Sequence, residues 1–273
     1  MKILLAGGSG FIGGHIATAL QALDHEVVVA SRSRGVDFNH MLSADDWLPL
    51  LEGVDTVINS VGIIVETRNQ HFSIMHTRAP VALFDACAKA AVRRVIQISA
   101  LGADEQASVP YHLTKKAADD ALRQLPLEWF ILRPSLVYGE GGKSTAMFKR
   151  LASLPIMMLP GGGKQRIQPV HVDDLVAAVI RCLDAEPACK TIDVVGPEEM
   201  TLAEWLQKLR QHKVHKAAMI IGIPMGLVKA SAELMRFIIP MLHPDNLRML
   251  QRGNTSDVQA LTALLGRTPR DVP

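Results

Sequence analysis

Short apolar runs recur through the first half of the chain, each followed by a longer stretch in which apolar residues return every three or four positions. The runs occupy residues 2–6, 26–30, 56–59, 94–99 and 128–132. Runs this short and this apolar read as strands buried on both faces. The stretches near 11–23, 44–51, 72–91 and 111–125 carry the helical period. Strands separated by helices pair in parallel, and the helices cover both faces of the sheet. The expected fold class is therefore α/β, a doubly wound parallel sheet.

After Pro134 the pattern changes. "GEGGKST" and "LPGGGKQR" read as glycine-rich loops, so a loop insertion is expected at about 140–168. "VHVDDLVAAVIRCL" reads as a strand end running into an amphipathic helix, with Asp173 or Asp174 near its start. Residues 191–195 suit a further strand. Thr201 and Glu204 have the spacing of a capping box. The remainder is helical in pattern and rich in methionine. The expected organisation is a dinucleotide-binding domain over 1–185 and a smaller, mainly helical cap over 186–273 that meets substrate or partner.

Composition narrows the function classes. The chain has 273 residues, 48% hydrophobic and 21% charged, which suits a soluble globular protein with a sizeable core. A formal net charge of +2 does not suit a protein that holds nucleic acid by bulk charge. With 4% aromatic residues there is little material for base stacking. Cys87, Cys182 and Cys189 form no CxxC pair, so neither a disulfide framework nor a zinc site is expected. A reducing, cytoplasmic setting is the default for such a chain. No run reaches the roughly 18 uninterrupted apolar residues of a membrane span.

The first candidate chemistry lies in "LLAGGSGFIGG", residues 4–14, between the first strand and the first helix. Gly8, Gly10 and Gly13 give GxGxxG; Gly7, Gly10 and Gly13 give GxxGxxG. In either register one glycine permits the turn, one lets backbone approach a pyrophosphate, and one lets helix pack on strand. The helix that follows offers free N–H groups to the phosphates. "YGEGGKST" and "PGGGKQR" resemble P-loop fragments. The first has Val137 where a P-loop needs glycine, and the second has Gln165 where it needs Ser or Thr.

The second strand ends in "EVVVASRSRG", with no acid to bond a ribose. Ser31 and Arg32 stand there instead, with Arg34 close by, and a guanidinium pairs with a 2′-phosphate that a carboxylate would repel. NADP(H) is therefore favoured, with NAD(H) as second choice. In "YHLTK", Tyr111 and Lys115 share a helix face. An ammonium beside a phenol favours the phenolate, so the pair suits proton exchange at a carbonyl or alcohol.

"GGSGFIGG", "NSVG" at 59–62, "YHLTK", "RPSLVYG" at 133–139 and "QPVHVDD" at 168–174 appear in the order of the landmarks of the short-chain dehydrogenases/reductases. The chain resembles that Rossmann-fold family in its extended or atypical form. "VINSVGI", "ISALGAD" and the tail "LHPDNLRMLQRGNTSDVQALTALLGRTP" are most similar to the branch containing the nucleotide-binding accessory subunit of respiratory complex I. The resemblance implies that Tyr111 moves the proton, that Lys115 binds the nicotinamide ribose and tunes the tyrosine, and that Ser99 orients the substrate oxygen. It implies cofactor contacts at Phe11 and Ile12 beside the glycines, at Val61 and Gly62, and at Asp37 with Phe38 beside the adenine. His171 and Asp173 recur in the family motif and read as packing and capping residues. The chain departs from the active members where "SALG" replaces a longer Ser/Thr run, which leaves Leu101 at the best-placed position and Ser108 as another candidate. The complex I relative binds nucleotide without an established reaction, so the resemblance carries two readings. One is an oxidoreductase for a small, rather apolar substrate. The other is a structural, assembly or sensing protein without turnover.

In the last third, "QKLRQHKVHK" is basic, "AAMIIGIPMGLV" is apolar, and residues 229–242 have an amphipathic helical period. Such a sequence suits either a cap over a substrate cleft or a contact with a protein complex or an anionic membrane surface. His212 and His215 lack a third ligand, so no metal is expected.

Overall fold

A computed structural model describes residues 1–214, 216–224, 226, 245, 248–249 and 252–272. Six strands form one parallel sheet: β1 (Lys2–Ala6), β2 (Glu26–Ala30), β3 (Thr56–Asn59), β4 (Arg94–Ile98), β5 (Glu128–Pro134) and, after four short strands elsewhere, β10 (Lys190–Val194). Their order across the sheet is β2–β1–β3–β4–β5–β10. Leu4 of β1 stands opposite Val28 on one side and Val57 on the other. Because side chains alternate along a strand, the run KILLA is divided between two cores.

Leu4 enters the first core with Val57, Val95 and Ile131. It is closed by α2 (Ala44–Trp47), α3 (Ala79–Lys89) and α4 (Pro110–Arg123), through Trp47, Leu83, Phe84 and Leu122. Ile3 and Leu5 enter the second core with Ile58 and Ile96. That face is closed by α1 (Phe11–Ala22), α6 (Val172–Asp184) and the helix Gln259–Leu265. The α/β, doubly wound expectation therefore holds, with strands where the apolar runs fall.

Two helices differ from expectation in form. The segment 72–91 begins as a π-helical turn, Ser73–Arg78, before α3, which carries Pro80 in its first turn. The segment 44–51 is a short α-helix followed by a 3₁₀ turn, Leu48–Leu50, where Pro49 lacks the N–H an α-helix needs. The expected capping box is present: Thr201 N–H donates to Glu204 at 2.7 Å, and Glu204 N–H donates to the Thr201 hydroxyl at 3.1 Å.

The strand β10 lies beyond the boundary expected at 185/186 and still joins the main sheet. β10 returns to the main sheet after α6 because Ile192 and Val194 alternate into the second core. The supposed loop insertion at 140–168 also has structure. It supplies α5 (Lys143–Ser153), β7 (Ile156–Pro160) and β8 (Arg166–Ile167) to a third core built on Trp205, Phe148 and Met157. That core includes α7 (Leu202–Val214). β7 pairs in parallel with β12 (Met219–Ile223), and β8 pairs antiparallel with β11 (Met200–Thr201). β6 (Val137–Tyr138) and β9 (Val170–His171) join the two parts. The helix expected at 229–242 and the side chains of His212 and His215 lie outside the described residues.

Arg94 begins a buried strand, an unusual place for a charge. Its guanidinium is fully buried and donates to the Cys182 and Leu183 carbonyls at the end of α6. It also pairs with Glu128 at 2.7 Å. One side chain thus closes orphan carbonyls that a helix end leaves and ties α6 to the edge of β4. Arg94→Met should lower unfolding free energy by about 3 kcal/mol, the cost of leaving such partners unpaired, as read from denaturant unfolding. An unchanged midpoint would contradict this role.

Candidate dinucleotide crevice

The chain leaves β1 for β2 on one side and later enters β3 on the other, so a crevice opens at the carboxyl end of β1. The glycine segment fills its floor. Gly7 turns with φ of 81°, a conformation that disfavours side chains. A Cβ on Gly13 would lie 2.3 Å from the Gly7 carbonyl and 2.7 Å from the Ser60 hydroxyl. These contacts select the Gly7, Gly10, Gly13 register. Gly8 has a different duty, since a Cβ there would meet Val29 at 2.8 Å.

Gly10 is the exception. A Cβ there would meet only the Gly7 carbonyl, at 3.3 Å. Internal packing leaves this side of the loop bare. Gly10 caps α1 without a side-chain bond, and the first turn carries no acid. The N–H groups of Phe11, Ile12 and Gly13 have no acceptor among the described residues. Three free donors with a helix dipole behind them fit a diphosphate.

The opposite wall is the segment after β3. Ser60 donates its N–H and its hydroxyl to the Ala6 carbonyl, at 2.9 and 2.7 Å. Val61 N–H donates to Asn59 Oδ1 at 3.2 Å, and Ile63 N–H donates to His76 Nε2 at 3.0 Å. Lys115 Nζ donates to the Val61 carbonyl at 2.9 Å. Gly62 lies beside that ammonium, a Cβ there standing 3.4 Å from Nζ, an ordinary contact. Val61 and Gly62 thus belong to the wall facing the glycine segment.

At the end of β2, Ser31 is buried and its hydroxyl lies 3.0 Å from that of Ser33. Arg32 and Arg34 are exposed, and neither guanidinium has a partner among the described residues. Asp37 accepts from the backbone and side-chain amides of Asn39 at 3.0 and 3.1 Å, which closes a turn. The Phe38 ring is not beside the crevice surface as expected for an adenine contact. It is buried against Trp47, ring centroids 5.2 Å apart, because α2 folds beneath it.

Tyr111 and Lys115 lie one turn apart on α4. The lysine is buried, and it donates to the Ile98 carbonyl at 2.9 Å as well as to Val61. Burial lowers its pKa to about 8, opposed by the Asp119 carboxylate. Tyr111 packs edge-on against Phe72, His76 and His112. Burial pushes its phenol up to about 12. The two carbonyls hold the ammonium under the loop. Ser99 directly follows β4. Its hydroxyl is buried and donates to Asp119 at 2.5 Å, so that proton is not presented to a substrate. Leu101 is buried and Ser108 exposed.

Asp119, His76 and Arg252 were not singled out in the sequence. Asp119 receives Ser99 and, at 3.4 Å, Gln97; Gln97 in turn accepts from Asn59 at 2.7 Å. Burial raises the Asp119 carboxyl to about 6, against its hydrogen bond to Ser99 and the charge of Lys115. Burial and the Lys115 charge drive His76 down to about 2, so the imidazole is neutral. That matches its role as acceptor for Ile63. Arg252 grips the loop after β4, donating to the Gly102 carbonyl at 2.9 Å and to both Asp104 oxygens. The i,i+4 spacing of Lys115 and Asp119 was the one local signal available. His171 caps α6 by accepting from Asp173 N–H at 3.2 Å, as expected. It also lines a cleft of about 400 Å³ with Tyr138, Glu140, Lys149 and Arg270, which none of the crevice residues enters. Among the described residues no group of His, Cys, Asp or Glu could hold a metal, and no helix is long and apolar enough to cross a membrane.

Known proteins place this geometry. Over 222 residues the chain is 26% identical to the mitochondrial NADH-ubiquinone oxidoreductase 40 kDa subunit of Neurospora crassa, covering 80% of this chain and 58% of that one. It is 26% identical to the mitochondrial NADH dehydrogenase [ubiquinone] 1 alpha subcomplex subunit 9 of Arabidopsis thaliana, covering 94% of this chain and 68% of that one. A protein of Caulobacter vibrioides named ceramide reductase is 27% identical, covering 65% and 59%. The chain thus spans somewhat over half the length of these relatives. A nucleoside-diphosphate-sugar epimerase from Staphylococcus aureus superposes with a TM-score of 0.78 at 17% identity, covering 100% of this chain and 98% of that one. MoeE5, solved with UDP-glucuronic acid and NAD, gives 0.74 at 20% identity, covering 99% and 94%. Both show the fold. The model of the NAD dependent epimerase/dehydratase family matches residues 3–195, more than half of the sequence, and the chain belongs to that family.

Proposed function

We propose that this protein is an NADP(H)-dependent oxidoreductase acting on a carbonyl or alcohol group of a small, rather apolar substrate. The bare, uncapped start of α1 carries the reading. It offers three N–H groups over a glycine that inner packing does not require, and relatives of the fold were solved with NAD. The preference for the phosphorylated coenzyme rests on Arg32 and Arg34, two unpaired guanidinium groups at the end of β2. Asp37 and Val61 with Gly62 would flank the adenine side. The apolar substrate is supported by the likeness to a protein named for ceramide, a lipid.

A bound nicotinamide supplies or accepts the hydride. Phe11, Ile12 and Gly13 hold the diphosphate through their N–H groups. Lys115 fixes the wall of the crevice through Val61 and Ile98 and keeps one N–H for a ribose hydroxyl. Tyr111 holds its proton at neutral pH, since its phenol sits near 12. A protonated phenol suits the reducing direction, in which it donates to the carbonyl oxygen as that oxygen gains charge.

A second reading is favoured by one observation. Ser99 is committed to Asp119, so no serine here is shown to orient a substrate oxygen. With relatives named as subunits of NADH dehydrogenase, the crevice then serves an NADPH-binding structural, assembly or sensing protein that contacts a larger complex at a membrane. Ligand binding would stabilise its fold by mass action.

Arg32→Ala should weaken NADPH binding about 10- to 100-fold, the worth of a charge-assisted bond, and leave NADH binding nearly unchanged, by calorimetric titration. Equal losses for both coenzymes would reject the 2′-phosphate role. Turnover is read from NADPH absorbance in a screen of carbonyl compounds. Tyr111→Phe should lower kcat about 10²- to 10⁴-fold, the usual share of a positioned acid, with coenzyme affinity kept. An undiminished rate would end the assignment of Tyr111. A blank screen with tight NADPH binding would select the second reading.

A further inference from the structure

The β-ribbon of the third core presents exposed apolar side chains on one side. Along β7, Met157 and Leu159 turn inward toward Trp205, whereas Ile156 and Met158 are 48% and 60% exposed. Along β12, Met219 and Ile221 are 64% and 43% exposed. The parallel register sets Met219 opposite Ile156 and Ile221 opposite Met158, so the four side chains form one patch. Leu154, just before β7, is exposed as well. Five of the nine exposed large apolar residues among those described therefore fall in one place, which scattered surface residues do not do. The ribbon is held rigidly from behind, where Gly222 packs against Gly162; a Cβ at Gly222 would lie 3.2 Å from the Gly162 Cα. Among the described residues β7 and β12 pair only with each other.

The charge around this patch points to its occupant. No Asp or Glu occurs from 141 to 172, the stretch that carries β7, yet it holds Lys143, Lys149, Arg150, Lys164 and Arg166. None occurs from 205 to 226, the stretch that carries β12, yet it holds Lys208, Arg210, Lys213 and Lys216. Arg210 is buried on the Ala152, Leu154 and Lys216 carbonyls, and Arg166 and Lys208 pair with Glu199 and Glu198, so the lysines that flank the ribbon strands in sequence carry the argument. Lys164 follows β7 by four positions and Lys216 precedes β12 by three; both are exposed, with no ion pair among the described residues.

We propose that the outer face of this ribbon docks on an anionic lipid surface, with Ile156, Met158, Met219 and Ile221 entering the interface and Lys164 and Lys216 meeting the headgroups. An apolar face flanked by unpaired lysines is a combination that binds such surfaces, and its binding weakens with salt. The inference deepens the membrane contact of the reading above and needs no hydride chemistry.

The test is co-sedimentation of the 273-residue protein with vesicles of phosphatidylcholine alone or with added phosphatidylglycerol. The protein should pellet with the acidic vesicles, less so at high salt. The pair Met158→Glu and Ile221→Glu, and separately Lys164→Glu with Lys216→Glu, should each cut the bound fraction about tenfold or more. These side chains are exposed, so melting curves and NADPH affinity should be retained. Failure of the parent protein to pellet, or equal binding by the variants, would overturn the proposal. So would a sizing column on which the parent is a dimer that the glutamate pair dissolves, without vesicle binding; the face would then seat a second copy. Loss of NADPH binding with vesicle binding intact would instead fail the coenzyme reading alone.

Discussion

The structure turns on the contact between two backbone segments at the carboxyl end of the central strands. Gly13 in the first turn of α1 presses on the Gly7 carbonyl and the Ser60 hydroxyl, at distances no side chain could survive. That closeness lets α1 start directly over the seam where β1 separates β2 from β3. The helix N-terminus is then aimed into the crevice with its donors unspent. Any larger residue at 13 would lift the helix from the sheet and withdraw the donors from the floor of the site.

The second wall is held by buried polar groups, and each is matched. Lys115, Asp119, His76, Asn59, Gln97 and Ser99 form a connected set beneath the loop at 60–63. Burying a charge without partners would cost far more than these bonds return. Here the ammonium has two carbonyls, the carboxylate has a hydroxyl and an amide, and the imidazole stays neutral. In this arrangement the Ser99 hydroxyl is spent on Asp119. The same proton cannot satisfy Asp119 and steer a substrate. Lys115 braces the wall of the crevice through two carbonyls, and burial raises the Tyr111 phenol.

Much of the sheet was legible because parallel strands are buried on both faces and show as unbroken apolar runs; β1, β2 and β3 fall where those runs do. The glycine turn was legible because its residues are consecutive. What was hidden depends on contacts distant in sequence. Arg94 closes the end of α6, Arg252 holds the loop at 102–104, and Phe38 turns inward because Trp47 waits beneath it. The ribbon joins strands about sixty residues apart, so β7 looked like loop and β12 like the start of a helical region. The place of β10, beyond the boundary expected at 185/186, was hidden for a related reason. β10 is a lone strand after a helix, and only its neighbour β5 shows that it completes the sheet.

Gly10 offers the sharpest test, because its bare side serves no internal contact. NADPH affinity should be measured by titration for the parent chain and for Gly10→Ala, with the thermal midpoint of each. A shift in midpoint of no more than a few degrees is expected, as for a change worth under about 1 kcal/mol, together with a loss of affinity of about tenfold or more. Undiminished coenzyme affinity with the methyl group in place would contradict a diphosphate seated on the start of α1.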